Sequence, residues 1–168
     1  MRARGLTLVE TLLTLSMAAI LGAASIGGLM GVQTWRATSA ARRVHADIAH
    51  ARTAAMLSQC RTLCTFDVGA GRYALAQESV PGSGKIDGPA MKQPLNDLDW
   101  QVSLADLGGA VALKKITGVP DDALGFDGAG RPVRGTGKPI KNDVHVQLST
   151  GAEVVIYAGS GLCEIKWP

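Results

Sequence analysis

The sequence predicts an α+β fold in which one long N-terminal helix packs on a small antiparallel β head. Three observations carry this. No charged residue lies between Glu10 and Arg36, in the run TLLTLSMAAILGAASIGGLMGVQTW. Residues 34–59 hold neither Gly nor Pro and repeat apolar side chains at three- and four-residue steps. Beyond Cys60 the pattern changes to short alternating segments separated by Gly-rich turns, which is the period of strands.

Composition sets the outer bounds. A chain of 168 residues makes one ordinary domain rather than two. Aromatic residues are only 4%, so the core must be aliphatic, and 21 glycines imply many turns. The net charge of +3 is far too small for a protein that condenses nucleic acid by charge alone.

The first element is the apolar run. About 20 apolar residues suffice to cross the hydrocarbon core of a bilayer, so residues 6–33 are expected to form a transmembrane helix. Arg2 and Arg4 precede it, which favours a cytoplasmic N-terminus and a head on the far side of the membrane. An ordinary secretory signal peptide is the alternative, with cleavage near residues 23–25. Glu10 argues against it. A carboxylate near the centre of a membrane helix costs roughly 2.5–3.5 kcal/mol and less near an end, so one kept at the mouth of the run calls for a partner.

The residues around it read GLTLVE, from Gly5 to Glu10. This stretch resembles the class III signal of type IV pilins and type II secretion pseudopilins. The resemblance implies a leader of residues 1–5 and cleavage by a prepilin peptidase between Gly5 and Leu6. It also implies N-methylation at Leu6 and a role for Glu10 as the assembly glutamate, meeting the terminal amine of a neighbouring subunit. Leu6 stands where the family usually has Phe.

The helix is expected to run on through residues 34–59. Ala37, Ala41, Val44, Ile48, Ala51 and Ala55 form one narrow apolar stripe, and Arg43 and Asp47 are spaced to pair on its outer face. A continuous helix from Leu6 to Gln59 would be roughly 80 Å long at about 1.5 Å per residue. Gly22, Gly27, Gly28 and Gly31 lie within it, serving either close packing in lipid or local stretching during assembly.

The head follows. Strands are expected at 63–68 and 72–77 around a Gly-rich turn, with Thr62, Cys64, Phe66 and Val68 on one face. Residues 78–96, with several Pro and Gly, are expected to form a loop. Further strands are expected at 100–104, 110–116, 124–127, 144–149, 153–157 and 162–167. Within the pilin-like proteins, the stretches ADIAHARTAAMLSQCRTLCTF, LGFDGAGRPVR and AGSGLCEI resemble the GspH/FimT group of minor pseudopilins. That resemblance implies antiparallel strands packed on the C-terminal half of the long helix.

Three cysteines, Cys60, Cys64 and Cys163, leave one unpaired if a disulfide forms. A head outside the cytoplasm permits one. Cys64 and Cys163 both fall on strands beside apolar neighbours, so a Cys64–Cys163 bond is the first expectation and Cys60–Cys163 the second. Buried free thiols are the alternative. Such a bond would contribute roughly 4–5 kcal/mol in the chain-entropy model. No histidine is spaced to complete a metal site, and His45, His50 and His145 read as solvated or helix-face residues. No HExxH, GxSxG or GxxxxGK[ST] pattern occurs. The reading is therefore a structural or binding protein, not an enzyme, with no cofactor, metal or small-molecule substrate.

One local signal remains. Residues 128–142 carry Arg131, Arg134, Lys138 and Lys141 and no acid. GRPVR resembles the basic loop of DNA-uptake pilins in the FimT branch, and two arginines on such a turn can hold phosphates without reading sequence. A solvated or subunit-contact surface is the preferred reading of this turn.

The expectation is thus a minor pseudopilin of a type II secretion system. Its head would lie in the periplasm on a single-pass inner-membrane anchor, and its partners would be other pilins or pseudopilins, the prepilin peptidase and the inner membrane. The alternative is a type IV pilus minor pilin for pilus assembly or DNA uptake, with DNA bound through the Arg131/Arg134 loop.

Overall fold

The computed structural model describes residues 8–81, 88, 90–93, 97–107 and 111–168, with the side chains of residues 22–33 outside that description. Among the described residues, one α-helix, α1 (Leu8–Ser58), precedes nine strands. The chain divides into two units between Trp35 and Arg36.

In the first unit the described apolar side chains of α1 all face outward. Leu8, Val9, Leu12, Leu13, Leu15, Met17, Ile20 and Leu21 are exposed. Among the described residues, no helix is long and apolar enough to cross a membrane. The described apolar segment ends at Leu21, and the rest of the expected span, residues 22–33, lies outside the described side chains.

The second unit is an α+β head. Its strands are β1 (Thr62–Asp67), β2 (Arg72–Gln77), β3 (Gln101–Ser103), β4 (Leu113–Thr117), β5 (Ala123–Phe126), β6 (Pro132–Arg134), β7 (Val144–Leu148), β8 (Glu153–Ile156) and β9 (Cys163–Lys166). They form two antiparallel sheets, ordered β3-β2-β1-β5-β6 and β4-β7-β8-β9. The apolar stripe of α1 seals the core. Ala41, Val44, Ile48, Ala51 and Ala55 are fully buried among Cys64, Leu75, Leu124, Phe126, Val146 and Val154. Four of those six helix residues, counting Ala40, are alanines, so the helix backbone lies close to the sheets. Thr62 uses this closeness and donates its hydroxyl to the Ala51 carbonyl at 3.0 Å.

The helix stops at Gln59, which adopts φ 57° and donates its side-chain amide to the Met56 carbonyl at 2.7 Å. A left-handed residue after the last turn, with a donor for an orphan carbonyl, is a C-cap built without glycine. The chain then enters β1, with Thr62, Cys64 and Phe66 inward as the alternation predicts. Arg61 and Glu78 tie the head of β1 to the end of β2. The buried side chains pair at 3.3 Å, and the Arg61 amide donates to the Glu78 carboxylate at 3.1 Å.

The structure corrects several expectations. Arg43 and Asp47 do pair, at 3.0 Å, but Asp47 is buried rather than on the outer face. Tyr73 on β2 donates its hydroxyl to the same carboxylate oxygen at 2.6 Å, drawing Asp47 under the helix. Desolvation, followed by the Asp47 charge, pushes the Tyr73 hydroxyl far above its ordinary range. The strand expected at 100–104 shortens to β3 because a 3-10 turn begins at Leu104. The strand expected at 110–116 starts at Leu113. The 78–96 loop contributes two isolated bridges, Ala76 with Ala90 and Lys92 with Asp99. Strand β6 was not expected at all.

All three cysteines are free thiols, so the Cys64–Cys163 bond is not formed in this structure. Cys64 is buried inside the five-stranded sheet, whereas Cys163 begins the edge strand of the other sheet. Desolvation, then the Asp47 charge and Cys163, holds the Cys64 thiol well above its usual range. Burial also pushes Cys163 up to about 11.

Candidate functional site

Two regions carry the sequence-predicted residues. The first is the start of α1. Gly5 and Leu6 lie outside the described residues. Glu10 sits in the first turn of α1, exposed, where the positive end of the helix dipole favours a carboxylate. The hydroxyls around it are satisfied inside the helix. Thr11 donates to the Leu8 carbonyl at 2.9 Å, Thr14 to Glu10 and Thr11 at 3.0 and 2.9 Å, and Ser16 to Leu12 at 2.8 Å. The described apolar segment therefore presents one group that demands an external partner, the Glu10 carboxylate. In an apolar setting such a group takes a cation at close range.

The second region is the basic turn, which the structure splits. Asp127, one residue before the interval counted as acid-free, organises its first half. Its carboxylate accepts the amides of Ala129 and Arg131 at 3.0 and 2.9 Å, and the Arg131 guanidinium at 2.9 Å. Arg131 is thus exposed but already neutralised. The signal was present in DGAGR, because Asp before Gly commonly caps its own turn and Arg follows at four residues. Arg134 ends β6, half-buried, with its Nε lacking a partner. The next hairpin closes when the Arg134 amide donates to Lys138 and the Gly137 amide to Arg134, both at 2.8 Å. Lys138 and Lys141 are exposed. The four cations are therefore spread over two turns rather than gathered on one.

Sequence reading passed over Arg52. From α1 it donates Nε to the Gly130 carbonyl and a terminal nitrogen to the Ser160 carbonyl, both at 3.1 Å. It holds the basic turn and the β8–β9 turn to the helix together. The two turns touch closely. A Cβ placed on Gly161, where φ is 68°, would lie 2.5 Å from the Gly130 carbonyl oxygen. Beside Arg52, His45 bonds the Cys163 carbonyl through Nε2 at 3.2 Å, in a cleft of about 200 Å³ between α1 and β9. The other histidines are also engaged, His50 stacked on Trp100 and His145 against Glu153. Among the described residues no cluster of His, Cys, Asp or Glu is arranged to hold a metal ion.

The fold has a counterpart among solved structures. The minor pseudopilin EpsH from the type 2 secretion system of Vibrio cholerae superposes with a TM-score of 0.57 at 12% identity. The match covers 79% of this chain and 96% of that one. No family model matches the sequence. No curated relative matches it either.

Proposed function

We propose that this chain is a minor pseudopilin of a type II secretion system, a structural subunit of a periplasmic pseudopilus. The observation that carries the reading is the start of α1: an apolar helix with its hydroxyls internally satisfied and Glu10 as its lone ionisable group. The likeness of the fold to a minor pseudopilin supports it. In this reading a prepilin peptidase removes residues 1–5, Leu6 becomes the methylated terminus, and residues 6–33 anchor the head in the inner membrane. During assembly Glu10 neutralises the terminal amine of a neighbouring pilin, and the apolar face of α1 enters the filament core. The head supplies partner contacts. The DNA-uptake reading loses support because Asp127 already occupies Arg131, which leaves Arg134, Lys138 and Lys141 dispersed.

The test is a Glu10→Gln substitution in the full chain, with filament incorporation followed by cross-linking to neighbouring pilins. The substitution should abolish most incorporation while the subunit still accumulates in the membrane. N-terminal sequencing of the mature protein should begin at Leu6. Normal incorporation of Glu10→Gln, or a mature start near residues 23–25, would end this reading.

A further inference from the structure

The hairpin after β6 holds a cation that the head itself does not use. Arg134 ends β6 opposite Leu124 of β5, half-buried at the edge of the five-stranded sheet. Its Nε is shut off from solvent and meets no acceptor. Among the described residues the guanidinium makes no ion pair and no hydrogen bond, so its terminal nitrogens have only water. The acids around it are committed elsewhere or disengaged. Asp127 is taken by Arg131 and Glu78 by Arg61, and Asp122, just before β5, pairs with no cation among the described residues. The turn beyond Arg134 is braced. Arg134 and Lys138 are joined across it by a backbone bond of 2.8 Å. Gly137, at φ 84°, rests against Arg61, whose Nη1 a Cβ at that position would strike. Exposed Lys138 therefore stands beside Arg134 on a fixed hairpin.

We propose that Arg134, with Lys138 beside it, is the docking point for an acidic side chain of a neighbouring pilin subunit. The proposal rests on the reading of this chain as a pseudopilus subunit. A partly buried charge without a partner is costly, and the fold bears that cost in the free subunit. Part of the water around Arg134 is already gone and its stem is already ordered. An incoming carboxylate therefore displaces less hydration and orders less chain than at a free surface arginine. The exposed end of the guanidinium offers two parallel N–H donors, which match the two oxygens of one carboxylate, and Lys138 adds a second charge. A nucleic-acid backbone needs a longer row of cations than this hairpin supplies, since Arg131 is spent on Asp127.

The experiment treats the full chain, assembled with its neighbouring pilins, with a carbodiimide, which joins a lysine amine to a touching carboxylate as an amide with loss of water. Mass spectrometry should find Lys138 joined to an Asp or Glu of another pilin. Lys138→Arg should remove that adduct. Arg134→Gln should lower its yield about tenfold, the loss expected when a charge-assisted pair is broken. Arg134→Lys puts an amine at the docking point, and an adduct should then appear at position 134. Urea unfolding of the detergent-solubilised chain separates docking from support of the fold. Arg134→Gln should leave the midpoint unchanged, and a lower midpoint would make Arg134 a structural residue and overturn the proposal. If the wild type joins no pilin through any residue, the pseudopilin reading fails and the docking point with it. If it joins pilins elsewhere but not at Lys138, or Arg134→Gln keeps the full yield, the docking point alone is refuted. Retention on immobilised DNA that Arg134→Gln abolishes, with no adduct at Lys138, would give the hairpin to phosphate instead and equally overturn it.

Discussion

Replacing Tyr73 by Phe should cost the head about 2 kcal/mol. Tyr73 and Asp47 are 1% and 3% exposed, and the hydroxyl meets Asp47 Oδ2 at 2.6 Å. A hydrogen bond to a charged group contributes about 1.5–3 kcal/mol, and more when loss of one partner leaves a buried charge unsatisfied. Here the carboxylate keeps Arg43 at 3.0 Å, which holds the estimate below the top of that range. Arg43 itself is 40% exposed, so its own share is reduced by solvent screening. Urea unfolding of the detergent-solubilised protein, followed by tryptophan fluorescence, reads the change. At a slope of about 2 kcal/mol per molar, the midpoint should fall by about 1 M. In an Asp47→Ala background the same substitution should cost under about 0.5 kcal/mol, because the bond is already gone. An equal cost in both backgrounds would refute the argument, since the loss would then come from packing alone.

Two further outcomes follow from the buried thiols and hydroxyl. Alkylation after denaturation without reductant should label Cys60, Cys64 and Cys163, and mass spectrometry should find three adducts; a single adduct would show a disulfide in the protein and overturn the free-thiol arrangement. Stability should also fall as pH rises above about 9. Cys64 and Tyr73 hold their protons more tightly when folded, so the unfolded chain releases them first, near 9.0 for the thiol and 10.0 for the phenol. Their contribution is complete below those values and is lost above them, by up to about 1.4 kcal/mol per pH unit per group. Cys163 adds to the loss until about 11. Cys64→Ala and Tyr73→Phe should each flatten the slope, and a level profile from pH 8 to 11 would contradict the assignment.

Much of the head could be read from local pattern. The 41–55 stripe is the buried face of α1 because helical spacing records burial directly. Thr62, Cys64 and Phe66 point inward because alternation does the same for a strand. What escaped depends on partners distant in sequence or on very short elements. Asp47 looked like half of a surface pair with Arg43; the residue that buries it, Tyr73, is 26 positions away. Strand β6 has three residues and begins with proline, too short to show a period, and it is tolerated at the end of its sheet. At the candidate site, Glu10 stood out through its isolation in an apolar run. In the basic turn, the interval chosen for counting charge began one residue after Asp127, the acid that caps the turn and pairs with Arg131.

The bonds from α1 to the far end of the chain impose an order on maturation. His45 reaches Cys163 across 118 residues, and Arg52 reaches Ser160 across 108. Contacts of such separation close late, because the intervening chain must first be brought together. A chain synthesised from its N-terminus presents the helix before β9 exists. One flank of α1 therefore stays uncovered until residues 160–163 arrive, and the head closes on its helix only once β9 is in place.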